Sequence, residues 1–168
     1  MSSKPAITLY TDGGSHGNPG PGGYGVVLIA DGARRELSGG YRLTTNNRME
    51  LMAAIVGLET LKKPSTITLF TDSKYLVDAI NKDWVTRWQG SGWKRNKREK
   101  AANVDLWKRL LAAMQPHEVT FRWVKGHAGH KDNERADTLT NLAVKGKLGV
   151  DVVYERETNE ADGQANLF

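Results

Sequence analysis

The chain has no cysteine in its 168 residues. That excludes disulfides, thiolate zinc sites and a cysteine nucleophile, so any bound metal must be held by oxygen or imidazole. No apolar run approaches the length of a membrane span, and residues 1–5 lack the charged and apolar regions of a signal peptide. A soluble, cytoplasmic protein is expected. The length also leaves no room for two ordinary domains, yet it suffices to bury one real core.

What the chain does carry is charge, unevenly spread. The formal net charge is +5 and the pI near 9.5, which suggests a polyanionic partner. From Asp151 onward the balance reverses: Asp151, Glu155, Glu157, Glu160 and Asp162 stand against Arg156. The body is therefore more basic than the total implies. Between residues 82 and 100, Lys82, Arg87, Lys94, Arg95, Lys97, Arg98 and Lys100 are interleaved with Trp84, Trp88 and Trp93. A solvated helical face accounts for many charge runs, but basic residues mixed with aromatics also suit nucleic acid.

Periodicity predicts a strand over 6–12, a Gly/Pro-rich loop over 17–23, strands over 24–30 and 34–42 joined by the Asp31-Gly32 turn, and a helix over 48–61. Thr44, Thr45, Asn46 and Asn47 are its N-cap candidates. A strand over 67–72 nearly copies the first, Ile-Thr-Leu-Phe-Thr-Asp against Ile-Thr-Leu-Tyr-Thr-Asp. Helices follow over 74–81, 84–89 and 103–114, then a strand over 119–124 and a helix over about 132–145. The order predicts an α/β fold with a mixed five-stranded sheet, three antiparallel strands followed by parallel ones, flanked by helices. Trp107 and Trp123 are assigned to its core. The catalytic domain is expected over 1–148 and an acidic, disordered tail over 149–168.

Four carboxylates stand out. Asp12 and Asp72 end the two matching strands, where α/β sheets tend to build ligand sites, although each also fits a turn residue accepting backbone amides. Glu50 lies in an apolar helix and has to be compensated, by a capping box with Asn47 or by a cation. Asp137 lies one helical turn beyond Glu134. Converging carboxylates cannot all stay ionised without cations, and hard oxygen ligands suit magnesium or manganese. Such a cluster points to phosphoryl transfer. Zinc held by His127 and His130 is rejected, because neither cysteine nor a further histidine cluster supports it. The spacing Gly20-Pro21-Gly22-Gly23-Tyr24-Gly25 matches a dinucleotide-binding loop, but a strand and no helix is expected after it.

Thr11-Asp12-Gly13, residues 18–25, the run TTNNRMEL over 44–51, Thr71-Asp72-Ser73 and residues 123–137 resemble, in order, the bacterial type 1 ribonuclease H family. The likeness covers roughly residues 6–145. It implies the ribonuclease H-like fold and an endonuclease that hydrolyses the RNA strand of RNA/DNA hybrids. By that resemblance Asp12, Glu50, Asp72 and Asp137 are the metal-binding and catalytic carboxylates, His127 is a mobile catalytic histidine near them, and Glu134 sits in the outer shell. The implied mechanism uses two Mg2+ ions with substrate, or Mn2+, and leaves 5′-phosphate and 3′-hydroxyl ends.

The resemblance also places Asn18 and Asn46 on the RNA strand and Thr45 and Asn47 nearer the DNA strand, although loop and cap chemistry explains such residues too. Residues 82–100 resemble the family's basic protrusion, with Trp84, Trp88, Trp93, Lys94, Lys97 and Arg98 as substrate contacts. The family often has glutamine after the Asp-Ser pair. Here Lys74 stands there, and because lysine accepts no hydrogen bond, recognition is expected to shift toward phosphate attraction. The competing readings are a non-catalytic binding module of the same fold and a nuclease for DNA or duplex RNA. Outside the family likeness, Gln164-Ala165-Asn166-Leu167-Phe168 resembles the Gln-x-x-Leu-Phe peptides that bind the bacterial sliding clamp, with Gln164, Leu167 and Phe168 as its anchors. A monomer with no membrane association is expected.

Overall fold

The computed structural model describes residues 4–126 and 129–165, the side chains of Gln164 and Ala165 excepted. The chain opens with a meander of β1 (Ala6–Ser15), β2 (Gly20–Ala30) and β3 (Ala33–Thr44). Asp31 and Gly32 both adopt positive φ at the tip between β2 and β3, as a two-residue hairpin turn of right-handed twist requires. Next come α1 (Asn46–Glu59), β4 (Thr66–Thr71), α2 (Lys74–Asn81), α3 (Trp84–Gly90), α4 (Val104–Met114), β5 (Glu118–Trp123) and α5 (Lys131–Lys145). The two-residue β6 (Leu148–Gly149) and α6 (Val152–Ala165) complete it.

The strands form one mixed sheet in the order β5-β4-β1-β2-β3-β6. Pairing is antiparallel through the meander and parallel for β1 with β4 and β4 with β5. The sixth strand, beyond the five expected, is the short β6 running parallel along β3.

One sheet face packs on α1, and α4 packs on α1 in turn. Helix α1 buries Met49, Leu51, Met52, Ala53, Ala54, Ile55 and Leu58, as its apolar residues on several faces demand. With Leu9, Val26, Ile67, Leu69, Leu76, Trp107 and Leu110 they form the main core. On the opposite face α5 covers a smaller cluster of Val27, Ala136 and Leu139, with Tyr10 and Ile29 at its margin. Gly25 lets α5 approach: a Cβ there would collide with the Ala136 carbonyl. Among the described residues no helix is long and apolar enough to cross a membrane.

Three expectations change. Strand β1 does not end at Asp12, and β2 begins at Gly20 inside the expected loop, because the two strands keep pairing as far as Ser15 and Gly22. Trp123 is 44% exposed; as the last residue of an edge strand it has no neighbouring strand to cover it. Residues 152–165 are helical, although their composition suggests disorder. The physical reason lies at Asp151, which is buried and accepts from Nε and Nη2 of the buried Arg48 at 2.7 and 2.9 Å and from the Thr44 hydroxyl at 2.8 Å. A single buried acid docks the segment's first turn, and the pairing of Glu155 with Arg42 at 2.9 Å holds the next.

Candidate active site

Parallel pairing of β1 with β4 runs from Ala6 and Thr66 to Thr11 and Thr71. Asp12 comes next on β1 and Asp72 is the first residue after β4, one short of the expected strand end, so the in-register repeat brings both aspartates to the place where the parallel ladder stops. Glu50 reaches the same place from the first turns of α1. Carboxylate oxygens of Asp12, Glu50 and Asp72 lie within 4.8 Å of one another. Gly13 makes this approach possible, because a Cβ on it would run into the Met49 carbonyl, and its backbone N–H donates to Glu50.

The start of α1 also corrects the capping expectation. Thr45 is the N-cap, accepting from the Arg48 N–H at 3.2 Å. Asn47 therefore forms no capping box with Glu50, and Glu50 is turned inward. Thr71, a motif residue outside the sequence-predicted site, donates its hydroxyl to Glu50 Oε2 at 3.4 Å and accepts from the Ser73 N–H at 3.1 Å. Thr140 on α5 donates to the carbonyl of Asp12 at 3.1 Å. The sequence does carry a signal for Thr71, since threonine precedes both matched aspartates. None marks Thr140.

Burial, then the charge of Asp72, raises the Asp12 pKa to about 7, with Asp137 contributing by charge and by a side-chain hydrogen bond. Burial raises Glu50 well above the usual carboxylate range, reinforced by Asp12 and Asp72. Asp137 is thus brought against Asp12 from α5, although it stands outside the tight group of three. This donor set fits a divalent cation: three hard oxygen ligands, two of them buried and resisting ionisation without a counter-charge.

The asparagines form a clasp beside it. Asn46 Oδ1 accepts from the Ser15 N–H at 2.8 Å and the Ser15 hydroxyl at 3.1 Å, while Asn18 Oδ1 accepts from the Asn46 N–H at 3.0 Å. Asn18, Asn46 and Asn47 are exposed. Glu134 is exposed and lies outside the carboxylate group. His127 and the Leu167 and Phe168 of the C-terminal peptide lie outside the described residues.

Residues of the protrusion divide by burial. Trp84, Trp88 and Trp93 are half-buried against the main core, and Trp88 meets the buried Trp107 edge-on at 5.9 Å. Lys94, Lys97 and Arg98 are exposed. Trp84, Arg87, Trp88, Lys94 and Lys97 line an open cavity of about 700 Å³.

The sequence pattern of the RNase H family matches residues 4–145. This chain belongs to the RNase H family. It is 62% identical over 137 residues to the Ribonuclease H of Syntrophus aciditrophicus, covering 82% of this chain and 79% of that protein. It is 57% identical over 159 residues to the Ribonuclease H of Rippkaea orientalis, covering 94% and 98%. Among solved structures it is similar to LC9-RNase H1, a type 1 RNase H with the type 2 active-site motif, with a TM-score of 0.77 at 34% identity over 87% of this chain and 75% of that one. LC11-RNase H1, solved in complex with an RNA/DNA hybrid, gives a TM-score of 0.63 at 28% identity, covering 83% and 96%. The RNase H family is divalent-metal dependent, and the Asp12, Glu50 and Asp72 group is the matching feature here.

Proposed function

We propose that this RNase H family member is an endonuclease that hydrolyses the RNA strand of RNA/DNA hybrids and leaves 5′-phosphate and 3′-hydroxyl ends. The observation that carries the reading is the convergence of Asp12, Glu50 and Asp72 within 4.8 Å, with Asp137 against Asp12. These four residues hold Mg2+, or Mn2+, as two ions when substrate is present. Bound divalent ions would supply a more acidic attacking water and charge neutralisation at the leaving 3′ oxygen.

The chain's own residues supply the rest. Asn18 and Asn46, tied together and to Ser15, offer side-chain NH2 donors suited to the 2′-hydroxyls that mark the RNA strand. Thr45 and Asn47 meet the DNA strand, and Lys74 draws phosphate. Lys94, Lys97 and Arg98 neutralise phosphates along the protrusion, where Trp84, Trp88 and Trp93 add apolar surface. His127 assists, in proton transfer or product release, and Glu134 belongs to the outer shell. In this reading the catalytic unit spans residues 1–148 and works in the cytoplasm as a monomer. Gln164, Leu167 and Phe168 tether it to the sliding clamp, which raises its local concentration there; unchanged clamp binding after deletion of the last five residues would remove that tether.

Cleavage of matched RNA/DNA, RNA/RNA and DNA/DNA duplexes, with magnesium and with chelator, tests the main reading. We expect metal-dependent cutting confined to the RNA of the hybrid. Asp12→Asn should abolish it while keeping hybrid affinity, since one ligand charge is removed with little change of shape. Tight hybrid binding without cutting in either metal would leave only a binding module.

A further inference from the structure

Trp123 occupies a strand position whose alternation matches the buried Phe121, yet its side chain turns to the surface at the end of β5. Two interactions account for its placement. Its indole Nε1–H donates to the backbone carbonyl of Asp72 at 3.1 Å. The Lys74 ammonium lies 4.8 Å from its ring centroid. Asp72 lies in the short link from β4 to α2, and Lys74 is the first residue of α2.

The position of that first bond is informative. Regular pairing of β4 with β5 stops at Thr71 and Trp123, with the Val124 N–H closing on the Thr71 carbonyl at 2.9 Å. Just beyond that last rung the Asp72 carbonyl accepts the Trp123 indole N–H, so the end of β5 is tied to the residue that follows β4. Gly126 bounds the same aspartate on its side-chain face, where an added Cβ would come 2.7 Å from Asp72 Oδ2. Backbone and carboxylate of Asp72 are thus bounded by one short stretch of chain, residues 123–126.

Lys74 is exposed and carries a long, rotamer-rich side chain. An aromatic face attracts its charge and limits the directions it samples. A lysine has three donors and no acceptor, so it reads a phosphate as a point charge and reads no donor group at all.

We propose that Trp123 is a positioning residue for the metal-binding carboxylate of Asp72, and that Lys74, held on the Trp123 ring, is a pre-oriented cation that binds the phosphate backbone of the hybrid. The second half rests on the hybrid-cleaving reading above; the first half rests only on the carboxylate group.

Four variants separate the parts. Trp123→Phe keeps a ring for Lys74 and removes the N–H. It should weaken Mg2+ binding severalfold in calorimetry without nucleic acid, and lower kcat while KM stays within about twofold of wild type. Lys74→Gln should leave Mg2+ affinity unchanged, raise KM severalfold, and reduce the slope of log affinity against log salt by about one. Trp123→Leu should show both effects, and Lys74→Arg should restore the salt slope. In the intact wild-type protein, the Trp123 indole N–H resonance should shift on Mg2+ titration with the midpoint seen in calorimetry, a readout that needs no variant to fold.

Wild-type Mg2+ affinity in Trp123→Phe, or an indole resonance blind to magnesium, overturns the positioning role. An unchanged salt slope in Lys74→Gln overturns the phosphate role. If the wild type binds magnesium and cuts no hybrid, the functional reading fails while the calorimetric and resonance results still decide the role of Trp123.

Discussion

Arg48 and Asp151, 103 residues apart, form a buried bidentate pair, with Nε to Oδ2 at 2.7 Å and Nη2 to Oδ1 at 2.9 Å. The other edge of the same guanidinium meets Asp105 at 2.8 and 2.9 Å. Burial opposes the charge on Arg48, but hydrogen bonds and charges from Asp105 and Asp151 outweigh it, and its pKa is raised. Removing one partner of such a group strands the others in a poor solvent for ions. Asp151→Ala should therefore cost roughly 3–5 kcal/mol in urea unfolding and release α6, read as a drop in helical circular dichroism before the main transition. A cost near that of a surface substitution would mean the pair contributes nothing net.

Metal-free stability should depend on pH through the carboxylate group. The Asp12 pKa is raised to about 7 by burial first and by Asp72 second, against an unfolded value of about 4. Between those values the folded protein binds more protons than the unfolded chain, so stability from this group falls as pH rises through the window. Glu50 is shifted in the same direction. In chelator, the unfolding free energy of wild type relative to Asp12→Asn should fall by roughly 2.5 kcal/mol from pH 5 to pH 8. Saturating magnesium should cancel most of that difference at pH 8. An equal pH profile in the two proteins would show that Asp12 ionises freely.

Lys94, Lys97 and Arg98 are exposed, so alanine at all three should leave stability within about 0.5 kcal/mol of wild type. Hybrid affinity should fall, and its salt slope should flatten by about two to three, close to one for each phosphate that no longer has a cation beside it. A slope identical to wild type would remove the protrusion from the binding surface.

Gly25→Ala should act on catalysis at a distance. The new Cβ would meet the Ala136 carbonyl, which is backbone and cannot rotate away, and Leu139 Cβ at 2.8 Å. Overpacking at such a position costs about 1–3 kcal/mol. Because Asp137 follows Ala136, lifting α5 should also separate Asp137 from Asp12, and kcat should fall more than KM rises. Wild-type kcat with reduced stability would show that α5 can shift without carrying Asp137 out of place.

Much of the site is legible in the sequence because it is written locally. The repeated strand ending in Thr-Asp, the acid within an apolar helix and the family motifs single out Asp12, Glu50, Asp72 and Asp137 without any geometry. Strand alternation and helical periodicity predict the element order, because burial of one face imposes period on sequence. What they leave open is decided by partners far away in the chain. Residues 149–165 have the composition of a solvated tail, and the helix over 152–165 depends on Arg48 donating to Asp151 in the interior. Trp123 has the pattern of a core residue, and only its place on an edge strand, at the last rung of the ladder, exposes the ring and directs its N–H to Asp72. Local pattern specifies which face of an element is apolar; which buried charge finds its counter-charge is settled only when distant segments exclude water together.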